Sequence, residues 1–264
     1  MVNLSQLADL NSEQLQAYRL VNSKFPPIAL FDDVADAAAF EALYQIQALT
    51  NPRLQNEVGR LELIARAEIP FGIPGCSYAT APFTHVNPEG SRFSNGRFGV
   101  LYLAANLETA LAEVHYHQDK YWANIHGLNY ERFVFRGLCC SFTDASMKDA
   151  TSLPMSDAIY NPDDYTHSHA LGKAVKDARC SGLRYNSVRL HGNHCWALMT
   201  PSAVSSMVQS AHYEMIWNGH ITSVNKIVPV ARKISMSRAG KGWPLPSSMG
   251  TDRAPASVTA PRTA

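Results

Sequence analysis

The stretch Gly90-Ser91-Arg92-Phe93-Ser94-Asn95-Gly96-Arg97-Phe98-Gly99-Val100-Leu101-Tyr102-Leu103-Ala104, leading into Glu108-Thr109-Ala110-Leu111-Ala112-Glu113, decides how this chain reads. Its first part is a loop, because Gly, Ser and Asn interrupt every apolar run. Phe98 to Ala104 then carries apolar residues on both faces, the pattern of a buried strand. Asn106 stands where a helix N-cap would, and Leu107 to Gln118 follows at helical spacing. Arg92 therefore leaves a loop, Tyr102 a strand and Glu113 a helix, all in quick succession.

Helical geometry sharpens the last point. At 100° per residue Leu107, Leu111 and Val114 form one apolar stripe. Ala110, Glu113 and His117 lie along one border of it and Glu108 along the other. The small Ala110 leaves space beside Glu113, so the carboxylate half faces a core with room for a ligand. By itself Glu113 would read as a solvated helix glutamate, Tyr102 as a core tyrosine with a satisfied hydroxyl, and Arg92 as a surface arginine. Their joint pattern changes that reading, together with Gly182-Leu183-Arg184-Tyr185-Asn186-Ser187-Val188-Arg189 downstream. Ser187 there has no partnered His in a recognisable order. It reads as a hydrogen-bonding residue rather than a nucleophile.

The remainder of the chain supplies a scaffold. Ser12 to Val21 can be a short helix or a strand, and Pro26-Pro27 breaks regular structure. Asp36 to Leu49 reads as a helix ended by Asn51-Pro52, and Leu54 to Ile64 as a second. Pro70 to Gly99 is one long irregular passage. Arg132 to Cys140, Leu183 to Leu190 and Cys195 to Met199 are strand candidates, and Asp144 to Tyr165 is mostly loop. His167 to Cys180 is helical, and a hairpin turns around Asn218-Gly219. From Gly240 onward the composition shifts to Gly, Pro, Ser, Thr and Ala, a tail expected to be disordered.

Bulk composition narrows the function. With 23 Lys+Arg against 22 Asp+Glu, the net charge of +1 is too balanced for nucleic-acid binding through bulk positive charge. At 46% apolar residues the chain is not a disordered one. Five cysteines, including the vicinal Cys139-Cys140, form no disulfide scaffold and suit a reducing compartment. Neither a signal peptide nor a membrane-length apolar run is visible, so a cytoplasmic protein with no membrane contact is expected. Nucleotide fingerprints of the Gly-x-Gly-x-x-Gly and P-loop kinds are missing, as are the Gly-x-Ser-x-Gly elbow and His-Glu-x-x-His. His191, His194 and Cys195 cluster without a second ligand pair at a familiar spacing, so no metal is expected.

Around Arg92-Phe93, Tyr102, Glu113 and Ser187 the sequence resembles the RES domain family, toxins of bacterial toxin–antitoxin pairs. The family pattern has Arg followed by an aromatic, Tyr ten positions on and Glu eleven beyond that, the spacing found here. Phe93 stands where many members carry Trp. The resemblance extends over Tyr18-Arg19-Leu20-Val21, Phe25-Pro26-Pro27, Ala81-Pro82-Phe83-Thr84-His85 and Asn87-Pro88-Glu89-Gly90, and covers residues 10–228.

It implies an α+β fold, an ADP-ribosyltransferase-like bent β-sheet core with flanking helices. Residues 1–70 would be an N-terminal helical extension packed on the core, 71–236 the catalytic core and 237–264 the tail. It also implies a toxin that cleaves NAD+ at the nicotinamide–ribose bond as a glycohydrolase or phosphorylase. The alternative is a protein mono-ADP-ribosyltransferase. A non-catalytic module that merely keeps the fold is disfavoured by the intact Arg92, Tyr102, Glu113 and Ser187.

In that chemistry Tyr102 would stack on nicotinamide and Arg92 would pair with the pyrophosphate through its planar fork. Glu113 would stabilise positive charge on the sugar, and Ser187 would bond the nicotinamide ribose or carboxamide. Arg19 would be a second NAD contact or a structural ion pair. Phe93, Ser94, Asn186 and Arg189 would line the nucleotide site. NAD+ is then substrate, with no further cofactor, and the expected partner is a small antitoxin that occludes the active site.

Overall fold

The computed structural model describes residues 4–25, 31–32 and 34–228. Pro26-Pro27 and the tail over 237–264 lie outside the described residues. Within them the fold is α+β. Strands β1 (Ala8–Asp9), β2 (Gln14–Asn22), β3 (Leu101–Ala104), β4 (Glu131–Thr143), β5 (Met147–Asp149), β6 (Gly182–Asn186), β7 (His194–Leu198), β8 (Val204–Trp217) and β9 (Ile221–Ile227) form one sheet. Their order is β1-β5-β6-β7-β3-β2-β4-β8-β9, and only β5 and β6 run parallel. Helices α1 (Ala37–Ala48), α2 (Leu54–Val58), α3 (Cys76–Thr84), α4 (Leu107–Ala123) and α5 (Thr166–Asp177) flank it. None is long and apolar enough to cross a membrane.

The join between the two halves of the sheet positions the site. β2 pairs with β4 along its whole length, from Gln14 opposite Thr143 to Asn22 opposite Phe135. Against β3 it pairs only through Tyr18 opposite Ala104. A bulge in β8, where Ser210 and Ala211 face the single residue Gly137 of β4, lies across β4 from Leu20, where β2 parts from β3. A bulge bends its strand and increases the local twist. β2 follows β4 through that twist and β3 stays with β7, so the halves splay and a cleft opens between them.

The apolar set of β4 changes faces at the same point. Phe133 and Phe135 precede Gly137 and belong to one core, with Ala104, Tyr185, Cys195 and Ala110 of α4. Leu138, Cys140 and Phe142 follow it and belong to the other, with Leu101, Leu103, Trp196 and Phe83 of α3. β4 keeps its register with β2 throughout, so the change lies in its sequence: the apolar residues are odd-numbered before Gly137 and even-numbered after it, and successive side chains face opposite sides. β3 and β7 are buried on both sides, as their continuous apolar runs require.

Several expectations change. Ser12 to Val21 resolves as a strand, β2. Residues 1–70 are therefore not a helical extension alone: they contribute β1 and the central strand β2, held by its ladder to β4. The second helix stops at Val58, because Gly59 takes φ +72° with Thr84 packed where a Cβ would stand. The passage from Pro70 to Gly99 contains α3, hidden in the sequence by Pro82 inside the helix. β8 begins at Val204, well before the expected hairpin. Asn106 caps α4 as its position implies, its side chain accepting from the Thr109 N–H at 2.8 Å.

α5 approaches the Arg92 loop through Gly172, where a Cβ would stand 1.9 Å from the Phe93 carbonyl oxygen. Gly172→Ala is expected to force the loop and helix apart at a cost of about 1–3 kcal/mol. Chemical denaturation would read this as a lowered midpoint; an unchanged midpoint would contradict the packing.

Candidate active site

The splay between β2 and β3 holds a cavity of about 750 Å³, within the roughly 300–1,000 Å³ typical of ligand sites. Its walls include Arg19 of β2, Arg92 of the preceding loop, Tyr102 of β3 and Glu113 of α4. Four of the residues singled out from the sequence thus meet in one space.

Tyr102 holds the loop in place. Its hydroxyl accepts from the Phe93 N–H at 2.9 Å and shares a hydrogen bond with the Ser91 hydroxyl at 2.9 Å. Burial pushes the phenol up to about 12, against the opposing pull of those two bonds and of Arg92. It therefore stays protonated and keeps both bonds. The ring wall of the cavity and the anchor of residues 91–93 are one side chain.

Glu113 and Ser187 form a second unit. The Ser187 hydroxyl donates to the Glu113 Oε1 at 2.7 Å and accepts from the N–H groups of Arg189 and Leu190 at 3.2 and 3.1 Å. A hydroxyl has one proton and two lone pairs, so Ser187 is fully used. It is 1% exposed and does not line the cavity. The expected contact from Ser187 to ribose or carboxamide is replaced by a contact to the carboxylate, which the serine orients.

The arginines share an electrostatic feature. Arg19 donates to the Tyr102 carbonyl at 3.1 Å, across the gap where the β2–β3 ladder stops. Arg92 donates to the carbonyls of Ile159 and Asn161 at 3.1 and 3.0 Å, with its guanidinium 4.7 Å from the Tyr165 ring centre. Arg189 donates to the Pro162 carbonyl at 2.9 Å and stacks 3.2 Å from the Tyr116 ring centre. Among the described residues the salt bridges involve other side chains, so none of these three arginines has a carboxylate partner. Arg19 is thus not half of an ion pair. Burial lowers its pKa, yet a guanidinium starts far enough above neutrality to stay charged.

Four expected nucleotide contacts lie elsewhere. Phe93 is fully buried, edge-on to Tyr185 at 4.8 Å, because the Tyr102 and Gly172 contacts draw its backbone inward. Ser94 turns in to donate to the Phe98 carbonyl at 2.6 Å. Asn186 donates to the Thr151 carbonyl at 3.0 Å, bracing the strand end. Arg189 lies behind Tyr116 rather than in the cavity wall. Each supports the cavity from outside it.

Other lining residues carry chemistry that the sequence reading passed over or mentioned only in passing. Tyr116, His117 and Lys120 extend the Glu113 face of α4 at helical spacing, a signal present in the sequence. Tyr165, Tyr185 and Cys195 arrive from distant elements and leave no local trace. Burial pushes the Cys195 thiol up to about 12, with Glu113 adding to the effect, so it is neutral. His194 packs against Trp196 on the opposite face of β7, so it cannot share a ligand with Cys195. His117 keeps solvent access, yet burial of its inner flank and the charges of Arg189, Arg92 and Lys120 push its imidazole down to about 4.

A family model described as the RES domain matches residues 69–218. The uncharacterized protein y4oC of Sinorhizobium fredii is 31% identical over 204 residues, covering 76% of this chain and 83% of the relative. A solved structure titled as the M. tuberculosis MbcT–MbcA toxin–antitoxin complex aligns at TM-score 0.33 and 15% identity. That alignment covers 47% of this chain and 73% of the other.

Tyr102→Phe keeps the ring and removes the hydroxyl, leaving the Phe93 N–H without its acceptor. A buried unsatisfied donor costs about 1–3 kcal/mol. The expected outcome is lower stability in denaturant with faster proteolysis between residues 90 and 97; wild-type behaviour in both assays would remove Tyr102 as the anchor.

Proposed function

The chain belongs to the RES domain family, and from that premise we propose that it is the toxin of a toxin–antitoxin pair that cleaves NAD+ at the nicotinamide–ribose bond. One observation carries the reading. Among the described residues Glu113 is the single carboxylate lining a cavity whose other formal charges are Arg19, Arg92 and Lys120. A site of that composition suits a substrate with anionic phosphates at one end and a sugar that turns cationic at the other.

The chemistry follows from those charges. As the bond from ribose C1 to the nicotinamide nitrogen breaks, its electron pair leaves with the nitrogen and neutralises the ring. Positive charge develops on C1 and the ring oxygen, as in glycoside cleavage. Glu113, aimed by the Ser187 hydroxyl, stabilises that charge electrostatically. Arg19 and Arg92, each held by neutral carbonyls through part of its five-donor guanidinium, offer the remaining N–H groups to pyrophosphate oxygens in a charge-assisted pairing. The ring of Tyr102 offers its face to nicotinamide. The acceptor oxygen then bonds to C1 and gives up its proton. With water the product is ADP-ribose, with phosphate it is ADP-ribose-1″-phosphate, and with a protein side chain it is a modified protein.

NAD+ is substrate in this scheme, and no resident cofactor or metal is invoked. A cytoplasmic enzyme that consumes NAD+ harms its own cell, so we propose a small protein antitoxin that covers the cleft. The unpaired arginines would meet acidic groups of such a partner.

Incubation of the purified protein with NAD+, with and without phosphate, followed by product analysis, identifies the acceptor. Glu113→Ala is expected to reduce NAD+ consumption by about 10²–10³-fold, and to relieve growth arrest on expression. Full turnover in that variant would overturn the assignment of Glu113. Ser187→Ala is expected to lower kcat more than it raises KM, because the serine acts through Glu113.

A further inference from the structure

Glu113, His117 and Lys120 stand on one face of α4 and all three line the cavity. A helix rises about 1.5 Å per residue, so His117 lies about 6 Å along the axis from Glu113 and about 4.5 Å from Lys120. Glu113 marks the sugar end of the proposed substrate. His117 therefore stands between that end and the basic end. Its ring is fixed edge-on to Tyr116, at 5.4 Å and 80°. Among the described residues neither of its nitrogens has a hydrogen-bond partner.

The groups facing His117 come from several elements. Arg92 reaches it from the loop before β3, Arg189 from the loop after β6 and Lys120 from its own helix. Tyr165 and Arg19 share the cavity wall from α5's leading segment and from β2, as does Tyr18. Asp163 bonds Lys120 at 2.6 Å and accepts from the Tyr116 hydroxyl at 3.3 Å. The balance around the imidazole is cationic.

We propose that His117 is a further substrate-binding residue of this cavity, donating an imidazole N–H to the phosphate oxygens and taking up a solvent proton as they bind. The proposal rests on the nucleotide reading of the cavity. In the free protein burial of its inner flank, with the surrounding cations adding to it, keeps the ring neutral. A bound pyrophosphate cancels their field and adds negative charge of its own, so the protonated ring becomes favourable. Binding and proton uptake are then linked. Affinity rises as pH falls through the bound-state value, and the gain is complete once pH reaches the free-state value of about 4.

The probe is ADP-ribose, which keeps the pyrophosphate and lacks the scissile bond. If binding restores the imidazole to its ordinary value near 6.5, affinity should increase about tenfold from pH 7.5 to pH 5.5. Calorimetry in buffers of different ionisation enthalpy should then report about 0.7 proton taken up per ligand at pH 6. His117→Gln, at an exposed position, should fold normally, bind with a flat pH profile and take up no proton. His117→Lys carries a fixed charge and should bind more tightly than wild type at pH 7.5, again without the slope.

ADP-ribose binding that is independent of pH, or a slope that persists in His117→Gln, overturns the role of His117 and leaves the nucleotide reading intact. No ADP-ribose binding at any pH overturns both.

Discussion

The ladder between β2 and β3 consists of a single residue pair, Tyr18 and Ala104, and the cavity exists because the ladder stops there. A backbone carbonyl left without a ladder partner in the protein interior needs a donor. Arg19 supplies one, its guanidinium spanning the gap to the Tyr102 carbonyl. The substitution has two effects. It satisfies the edge of β3 without closing the sheet, and it places a permanent cation at the point where the sheet divides. The bulge in β8, beside the β4 residue Gly137 that pairs with Leu20, provides the twist that keeps β2 from rejoining its neighbour.

The other side chains of the site depend on that opening. Tyr102 projects from β3 into it and reaches back to Ser91 and the Phe93 N–H. Those bonds set the path of the loop that carries Arg92. On the far wall, α4 brings Glu113 to the same space, and the turn after β6 brings Ser187 to Glu113. The arginines Arg19, Arg92 and Arg189 all rest on neutral carbonyls or aromatic rings. A buried or half-buried cation held only by neutral acceptors retains most of its attraction for an anion, because nothing of opposite charge has already cancelled it. The carbonyls fix geometry and leave the charge available.

Legibility in the sequence followed the range of the interactions. The segment from Asn106 through α4 was readable because capping and helical spacing are local, and Ala110, Glu113 and His117 fell on one face as geometry required. The strand character of β3 and β7 was readable from their apolar runs. α3 was not, because Pro82 and the surrounding Gly and Ser mask a helix stabilised by burial of Cys76, Ala79 and Phe83 against the sheet. β2 was ambiguous in isolation, since its strand state comes from the ladder to β4. Arg92, Tyr102 and Glu113 stood out through their spacing, and the structure brings them to one cavity. Phe93 and Ser94, which follow Arg92, turn inward to the Tyr185 ring and the Phe98 carbonyl, and Asn186 turns to the Thr151 carbonyl, contacts with distant residues that no local pattern shows.

By itself the sequence determined the α+β class, the helix that carries Glu113, the near-zero net charge and the family. These rest on local periodicity, on composition and on short motifs, all of which survive without knowledge of distant contacts. Only the tertiary structure decided that the Ser187 hydroxyl bonds Glu113, that Arg19 bridges a split in the sheet, and that Tyr165, Tyr185 and Cys195 line the same cavity as Arg19 and Glu113. Those relations join residues far apart in the chain. Their partners are chosen by the splay of two strands and the twist of a third, which no local pattern encodes.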